Sequence, residues 1–381
     1  MSRGPLIGVV AGEASGDLLG AELVRALRTR LPEAQFAGIA GPKMQAEGVE
    51  TWFPMERLAV RGYVEVLKHY PGLVALRGAL KRRLCQARPR VFIGIDAPDF
   101  NLPLEAKLKR KGIPTVHFVS PSLWAWRGGR IGFISRAVNQ VLLLFPFEVP
   151  IYRRAGIPFT YVGHPLADLI PLEEVTHAAR EQLKLSQARR IVTLLPGSRQ
   201  SELNTMAELF IRTARLLVQQ IPDVGFLVPL VSRETREIFE AALYREHAAD
   251  LPLTVLFGHA RDAIAASDAA LVASGTATLE AALYKKPMVI TYRMAELTWK
   301  LMSRMRYQPW VGLPNIIAGE YIVPELLQDD ATPGNLAQAM LNLISDPVVR
   351  ERLPQRLRSI HLSLRQNAAD KAAQAVMPWL D

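Results

Sequence analysis

The run Leu6-Ile7-Gly8-Val9-Val10-Ala11-Gly12-Glu13-Ala14-Ser15-Gly16-Asp17 decides the fold. Its first half, together with Pro5, is an apolar stretch that predicts a buried strand over 5–11. Its second half is a turn of small and polar residues. Apolar side chains at helical spacing then predict a helix over 18–30, which Pro32 ends. A strand that runs through a short turn into a helix is the unit of α/β folds.

The same unit recurs in both halves of the chain. Further strands are predicted at 91–95, 115–119, 141–144 and 160–162, and then at 191–195, 225–229, 253–257, 268–272 and 287–291. Their Val, Ile and Leu runs favour parallel sheets covered by helices on both faces. We predict an α/β fold of two doubly wound, Rossmann-like domains, residues 1–170 and 186–345, that face each other across a cleft. A helical tail, 346–381, follows.

Composition and charge narrow the class of protein. The 381 residues include one cysteine, Cys85, which excludes a disulfide framework and indicates a cytoplasmic protein. We expect no signal peptide and no membrane-spanning helix. The formal net charge of +10 belongs to the first half: residues 1–190 contain 27 Lys and Arg against 16 Asp and Glu, whereas residues 191–381 contain 19 against 20. The first half therefore indicates an anionic partner.

Two turns of the first domain are candidate sites, because ligands of open α/β sheets bind at the carboxyl ends of strands. Ser15 and Gly16 suit a phosphate at a helix N-terminus, although Ser15 or Asp17 as a simple helix cap is an equal alternative. Glu13 adjoins the same turn. Asp96 follows the strand 91–95 directly, where a partly desolvated carboxylate suits a general base. Asp99 fits a helix cap better.

The second domain has two turns that suit a diphosphate. Gly197, Ser198 and Arg199 follow the strand 191–195, and a guanidinium binds phosphate through paired hydrogen bonds. The alternative for Arg199 is a surface pair with Glu202. The second turn opens another helix after the strand 268–272, and the candidate residues for a nucleotide diphosphate there are Ser274, Gly275, Thr276 and Glu280. The alternative for Glu280 is a capping carboxylate.

The stretch 60–83 combines an apolar face with a basic rim, which is typical of a helix that lies on an anionic membrane. A core-facing helix with a solvated basic face is the commoner alternative. The residues assigned to a lipid surface are Tyr63, Val64, Val66, Leu67, Lys68, Arg77, Lys81 and Arg82. The stretch 297–306 has the same character. Among the seven histidines no spacing predicts a metal site, and no Walker loop or nucleophile elbow occurs.

Five strings carry a resemblance to a known family. They are Val10-Ala11-Gly12-Glu13-Ala14-Ser15-Gly16-Asp17, Gly94-Ile95-Asp96-Ala97-Pro98-Asp99-Phe100-Asn101, Val119-Ser120-Pro121-Ser122-Leu123-Trp124-Ala125-Trp126-Arg127, Leu195-Pro196-Gly197-Ser198-Arg199 and Ala273-Ser274-Gly275-Thr276-Ala277-Thr278-Leu279-Glu280. Leu313-Pro314-Asn315 and Gly163-His164-Pro165 add support. The chain resembles, over nearly its whole length, the lipid-A-disaccharide synthases, inverting glycosyltransferases of Gram-negative outer-membrane biogenesis.

The resemblance implies a reaction and a fold. UDP-2,3-diacylglucosamine would donate its sugar to the 6-hydroxyl of 2,3-diacylglucosamine 1-phosphate, giving a β-1,6 disaccharide and UDP, with no metal and no cofactor. It implies Asp96 as the base, with Glu13 as the competing choice, Arg199 and Glu280 on the donor, and Asn315 near the nucleotide. It also implies a GT-B fold whose C-terminal helices, 346–381, pack toward the first domain, and peripheral binding at the cytoplasmic face of the inner membrane.

Other functions stay open at this stage. A transferase of peptidoglycan precursors or a UDP-sugar 2-epimerase would share the fold, since fold alone does not determine function. An epimerase needs no lipid surface, so the stretch 60–83 favours the transferase. A nucleic-acid-binding protein is disfavoured because the aromatic residues do not alternate with the basic ones. The sequence leaves the oligomeric state, a homodimer included, undecided.

Overall fold

The computed structural model describes residues 4–58, 63–121, 130–296, 299 and 309–380, without the side chains of 63–70. The chain forms two compact units. One contains Met1–Asp168 and Leu364–Asp381, and the other contains Leu169–Ser363. The predicted segments 1–170, 186–345 and 346–381 differ from this division, because the linker after residue 170 and most of the tail lie in the second unit.

The first unit is a parallel sheet flanked by helices. Its elements in chain order are β1 Leu6–Ala11, α1 Ala14–Arg30, β2 Gln35–Ala40, α2 Pro42–Ala46, β3 Glu50–Pro54, α3 Tyr63–Ala87, β4 Val91–Ile95, α4 Pro98–Lys109, β5 Thr115–Phe118, α5 Ile131–Ala137, β6 Gln140–Leu143, α6 Val149–Arg154, β7 Phe159–Tyr161 and α7 Pro165–Leu169. The strand order is β3-β2-β1-β4-β5-β6-β7. The direction of winding therefore reverses between β1 and β4.

The second unit repeats this plan with six parallel strands. Its elements are α8 Thr176–Gln182, β8 Arg190–Leu195, α9 Gln200–Gln220, β9 Val224–Leu230, α10 Arg233–Arg245, β10 Leu253–Phe257, α11 Ala260–Ala266, β11 Ala269–Ala273, α12 Thr276–Leu283, β12 Met288–Tyr292, α13 Leu313–Ala318, β13 Glu325–Leu327, α14 Pro333–Ser345 and α15 Pro347–Leu364. The order is β10-β9-β8-β11-β12-β13, so the reversal falls between β8 and β11. The α/β class with two doubly wound sheets is confirmed.

The end of the chain belongs to the first unit. Helix α16, Ala368–Val376, packs on α1 and adds Ala372, Ala373 and Val376 to the core beneath β1 and β4. Asp168 holds the start of this helix by accepting hydrogen bonds from the amides of Asn367 and Ala368, at 2.9 and 2.6 Å. The predicted tail 346–381 is thus divided between the units. Only its last part, after α15, joins the first sheet.

Three strands were not predicted from the sequence: β2, β3 and β13. In β2 the residues Ala37, Gly38 and Ala40 are poor strand formers by themselves. The strand forms because it pairs with β1 and β3. An added Cβ at Gly38 would lie 1.9 Å from the carbonyl oxygen of Val9, so only glycine allows this pairing. Strands β3 and β13 are short, with five and three residues.

Candidate functional site

The turns after β1 and β4 lie side by side because these strands are neighbours, with Ala11 paired to Ile95 at their carboxyl ends. The two turns also touch. A Cβ added to Gly12 would lie 2.6 Å from the Cβ of Ala97, so a larger residue at position 12 would push the turns apart. The structure therefore brings the predicted residues Glu13 and Asp96 to one edge of the first sheet, at the point where its winding reverses.

The start of α1 has no side-chain cap. Glu13 is the N-cap residue, with an extended backbone, and its side chain bonds none of the first amides of the helix. The alternative that Ser15 or Asp17 caps α1 is wrong. The buried carboxylate of Asp17 instead accepts hydrogen bonds from the amides of Lys43 and Met44, at 2.9 and 3.1 Å, and so caps α2. The exposed Ser15 and the start of α1 remain accessible to an anion.

Asp96 is held in an unusual backbone conformation. Asp96 and Ala97 have φ values of +53° and +44°, in a left-handed region that costs a non-glycine residue conformational energy. The surrounding structure enforces it: the amide of Asp96 donates to the carbonyl of Phe118 at 2.8 Å, and Asn101 Nδ2 donates to the carbonyl of Asp96 at 2.8 Å. The carboxylates of Asp96 and Glu13 have no partner in the described part of the chain, so both can meet a substrate.

Asp99 does not cap a helix, contrary to the prediction. Helix α4 already begins at Pro98, which puts Asp99 in its first turn, where the carboxylate pairs with Arg130 at 2.7 Å and stays largely exposed. Its negative charge near the N-terminus of α4 still interacts favourably with the helix dipole and so stabilises the helix.

A buried polar group supports the turn that carries Asp96, and sequence reasoning missed it. Glu105 and His117 are both fully buried, and Glu105 Oε1 lies 2.8 Å from His117 Nδ1. Burial raises the pKa of the Glu105 carboxyl, while His117 opposes that shift. The group sits against Gly94, where an added Cβ would lie 2.2 Å from Glu105 Oε1. The available signal was Asn101 and Glu105, two polar residues one helical turn apart among the apolar residues Phe100, Leu102, Leu104 and Ala106 of α4.

The loop after β5 opens with a second strained residue, Val119, and its next residue, Ser120, contacts a second buried acid, Glu148, which follows β6. Val119 has a φ of +80°, which is rare for a β-branched residue. Ser120 Oγ lies 2.8 Å from the Tyr152 hydroxyl and also bonds Glu148. Burial raises the pKa of Glu148 to about 8, and burial lowers the pKa of His164 to about 4. The rest of the motif, 122–127, lies outside the described residues.

The second reversal point carries a cation. Strands β8 and β11 are neighbours, so the turns after Leu195 and Ala273 meet at one edge of the sheet, as predicted. Glu202 Oε2 accepts hydrogen bonds from the amides of Ser198 and Arg199, at 2.8 and 3.1 Å, so these two amides of the turn are already bonded within the protein.

The side chain of Arg199 remains available in this turn. It is 75% exposed, and its contact with Glu202 Oε1 is only 3.5 Å. Gly197 has a φ of +129°, and a Cβ added at this position would lie 2.5 Å from Glu202 Cβ. Only glycine therefore fits here. The guanidinium, rather than the loop backbone, is therefore the group of this turn that is available to an anion.

The turn after β11 leaves an open helix end. Gly275 is the N-cap residue of α12 without a side-chain cap, and an added Cβ there would meet no described atom within 4 Å. Thr276 is exposed beside it, and Ser274 Oγ makes one long bond, 3.4 Å, to the carbonyl of Val311. Free amides with room above them suit a phosphate oxygen.

Glu280 is not a capping residue. It is mostly buried, and Arg261 Nε of α11 donates to its Oε1 at 3.2 Å. Sequence reasoning missed Arg261, which leaves the other carboxylate oxygen of Glu280 for hydroxyl donors such as a sugar diol.

Asn315 has a structural role that differs from the predicted one. Its buried amide Nδ2 donates to the carbonyl of Val323 and to Glu325 Oε1, at 2.9 and 2.8 Å, and its Oδ1 accepts from the amides of Ile322 and Val323. These four bonds use the full hydrogen-bonding capacity of an asparagine side chain. Asn315 therefore holds the loop in place and has no bond left for a nucleotide.

The structure describes only part of the predicted lipid surface. The side chains of Tyr63, Val64, Val66, Leu67 and Lys68 lie outside the described residues, as does most of the stretch 297–306. Over its second half, α3 matches the core-facing alternative. Its residues Leu76, Leu80 and Leu84 are buried.

The basic residues of this second half of α3 differ in position. Arg77 donates to the carbonyl of Asp99 at 3.3 Å and is half-buried, Lys81 is half-buried, and Arg82 is exposed. The guanidinium of Arg77 contacts α4, and the assignment of Arg77 to a lipid surface stays a prediction.

Two absences concern the described residues alone. Within them no helix is long and apolar enough to cross a membrane. In the same part of the chain, no group of three or more His, Cys, Asp or Glu residues is arranged to hold a metal ion.

Comparison with known proteins agrees with this geometry. A family model described as lipid-A-disaccharide synthetase matches residues 7–377. The chain is 58% identical over 376 residues to the lipid-A-disaccharide synthase of Methylobacillus flagellatus, covering 99% of this chain and 100% of the relative, and 59% identical to that of Azoarcus sp., covering 99% and 96%.

Solved structures share the fold at low identity. Anabaena HepE in complex with UDP and glucose superposes with a TM-score of 0.60 at 14% identity, covering 99% of each chain. The UDP-GlcNAc 2-epimerase of Neisseria meningitidis superposes with a TM-score of 0.65 at 12% identity, covering 98% of this chain and 99% of that one.

Two doubly wound sheets, each with polar turns at its reversal point, define a protein of the GT-B fold class. Within that class the family model and the relatives settle the membership over almost the full chain. The chain belongs to the lipid-A-disaccharide synthase family and is a glycosyltransferase.

Proposed function

We propose that the enzyme transfers diacylglucosamine from UDP to the 6-hydroxyl of 2,3-diacylglucosamine 1-phosphate, forming the β-1,6 disaccharide of lipid A and UDP. The observation that carries the chemistry is the Asp96 carboxylate. It has no partner in the described part of the chain, and hydrogen bonds to Phe118 and Asn101 hold its strained backbone. A group held in this way keeps its position as it accepts a proton.

In this mechanism Asp96 takes the proton of the acceptor hydroxyl while the hydroxyl oxygen attacks the anomeric carbon of the donor. The bond from that carbon to the UDP oxygen breaks, and the configuration inverts. Negative charge grows on the departing diphosphate. The exposed guanidinium of Arg199 and the uncapped start of α12 at Gly275 can stabilise it. Glu280 has a free oxygen for the sugar hydroxyls.

Asp96 is the stronger choice over Glu13 for the base. Both carboxylates lie at the same edge of the first sheet, but Glu13 is exposed at the end of α1 whereas Asp96 is half-buried. We assign Ser15 and the first amides of α1, that of Gly16 included, to the phosphate of the acceptor, and the Glu13 carboxylate, which would repel a phosphate, to a hydroxyl of the acceptor sugar.

A product assay tests the reaction directly. The enzyme, UDP-diacylglucosamine and the monosaccharide 1-phosphate should yield a tetraacyl disaccharide 1-phosphate and an equal amount of UDP, with and without EDTA. The competing epimerase function predicts conversion of the UDP-sugar with no acceptor present and no disaccharide. Absence of the disaccharide under all conditions would refute the proposal.

We also propose that residues 63–68 hold the enzyme on the cytoplasmic face of an anionic membrane; the support is the apolar and basic composition of that segment. Replacing Val64, Val66 and Leu67 with serine should reduce sedimentation with anionic vesicles several-fold. The matched control replaces three exposed valines of the second unit, Val218, Val231 and Val348. Equal loss in both triple variants would argue against a specific lipid surface. The oligomeric state, a homodimer included, is a separate question that light scattering would answer.

A further inference from the structure

A cavity lies at one edge of the second sheet. The turns after β8 and β11 that are assigned to UDP, the donor turns, lie at the opposite edge. The cavity has a volume of about 470 Å³ and lies wholly within the second unit. Arg190 begins β8, Asp268 precedes β11 and Lys286 precedes β12, so the amino ends of these strands form its wall. The donor turns follow the carboxyl ends of the same strands, roughly 17 Å away along a strand of this length.

The charges that line this cavity are unevenly matched. Its acids already have partners: Asp268 Oδ2 accepts from Arg180 and from the amide of Ile191, both at 2.8 Å, and Glu173 pairs with Arg358 at 3.1 Å. The third acid, Glu174, accepts from the Thr176 hydroxyl at 2.8 Å.

Among the described residues, the lining cations Lys286 and Arg350 make no direct ion pair with a carboxylate, and Arg190 makes only a long one. Lys286 Nζ donates to the neutral hydroxyl of Thr176 at 2.6 Å, Arg190 lies 3.6 Å from Asp268, and Arg350 has no described partner for its guanidinium. Lys285 also lines the cavity and donates to the carbonyl of Pro171. Unmatched positive charge beside a cavity favours an anionic ligand.

We propose that this cavity binds a small phosphorylated compound through Lys286, Arg190 and Arg350. Guanidinium forks pair with phosphate oxygens, and a lysine serves as a point charge beside them. Three cations from three elements suit a phosphate dianion with three terminal oxygens better than a carboxylate with two. The site lies away from the turns assigned to UDP, so it does not depend on the proposed function.

Lys286 gives this proposal a distinctive signature. Burial lowers the pKa of Lys286 to about 8, Glu174 and Asp268 oppose that shift, and Arg180 adds to it. The amine is thus about half protonated at pH 8. A bound phosphate favours the ammonium form, so binding at pH 8 must take up about half a proton from the buffer. A lysine that only supports the fold would show no proton uptake.

Calorimetry with inorganic phosphate at pH 8, in two buffers of different ionisation enthalpy, tests the site. The intact enzyme should bind phosphate with a fractional proton uptake. Lys286→Met should weaken binding at least fivefold, whereas Lys286→Arg should retain binding without proton uptake, because arginine does not titrate near pH 8. Arg199→Ala should leave this binding unchanged.

Three results would overturn the proposal: no binding of phosphate at millimolar concentration, equal binding and proton uptake in Lys286→Met, or loss of binding in Arg199→Ala alone. The last result would place the phosphate at the donor turns. Should Lys286→Met fail to fold, as judged by circular dichroism, Lys286→Arg and Arg190→Gln decide the question. Hydrogen exchange should also show protection of residues 172–176 and 350–358 when phosphate binds.

Discussion

The two reversal points of the molecule have the same topology and opposite chemistry. In the first unit, the turns after β1 and β4 present the carboxylates of Glu13 and Asp96, neither of which has a partner in the described residues. In the second unit, the turns after β8 and β11 present the guanidinium of Arg199 and an uncapped helix end. One edge can accept a proton and the other can hold a departing anion.

The fate of the acidic residues explains this difference. In the second unit, Glu202 and Glu325 bind backbone amides of the loops, and Glu280 pairs with Arg261. Their charges are committed to holding the site in shape. In the first unit, Asn101 and a Glu105–His117 pair hold the site, so Asp96 is left unpaired. A doubly wound sheet thus provides a position, and the partners of each charged group decide what that position can do.

The largest effect is expected at the reversal point of the first unit, where Glu13 and Asp96 lie. Asp96→Asn keeps the size of the side chain and removes its ability to accept a proton. Turnover should fall about a hundredfold or more, as for loss of a general base, while UDP affinity stays within about twofold. Steady-state kinetics and calorimetry measure the two quantities.

Glu13→Gln is the matched control for Asp96→Asn. We expect it to raise KM for the acceptor more than it lowers kcat. A larger loss of kcat in Glu13→Gln than in Asp96→Asn would exchange the two roles.

The second prediction concerns Asn315, a buried polar residue of the second unit whose hydrogen bonds hold a loop. Asn315→Ala removes four hydrogen bonds and takes away the side-chain partner of the amides of Ile322 and Val323 and of the Val323 carbonyl. The free energy of unfolding should fall by about 2–3 kcal/mol. Chemical denaturation measures this loss. A specific loss of UDP affinity with unchanged stability would instead return Asn315 to the nucleotide.

The third prediction tests Arg199, the cation at the reversal point of the second unit. Arg199→Ala should weaken UDP binding roughly tenfold, because a charge-assisted bond to phosphate is lost, and it should also lower turnover. Arg233→Ala, at another exposed arginine of the same unit, is the control and should leave UDP binding unchanged. Unchanged UDP affinity in Arg199→Ala would refute the assigned contrast between the two edges.

The smallest effect is expected in the stability of the first unit as the pH changes. Burial raises the pKa of Glu148 to about 8 from a usual value of 4.5, so the folded protein keeps a proton that the unfolded chain releases. This contribution to stability is complete below about pH 4.5 and is lost as the pH rises to about 8. Glu148→Gln cannot ionise and should flatten that dependence by roughly 1 kcal/mol.

Denaturation of the intact enzyme and of Glu148→Gln between pH 6.5 and 8 makes this measurement. His164, whose pKa burial lowers from 6.5 to about 4, contributes the same pH dependence to both proteins, so the difference between their curves reports Glu148. Parallel curves for the two proteins in this window would mean that Glu148 is ionised in the folded state.

By itself the sequence determined the class of fold and the positions of the site turns. Apolar runs such as Val91–Ile95 must be buried, and small residues such as Gly12 and Gly275 must follow them where strands turn into helices. Local composition carries that information, and the family motifs agree with it. The weakly apolar strand β2 escaped prediction because only its pairing with β1 makes it a strand.

The tertiary structure alone decided which polar groups meet. Asp17 caps α2 rather than its own helix, and the side chain of Asn315 makes its hydrogen bonds to a loop and to Glu325. Glu105 meets His117 across two elements, twelve residues apart in the chain. Whether a polar side chain binds a ligand or supports the fold depends on neighbours that are distant in sequence, since a buried polar group must find a partner wherever the fold supplies one.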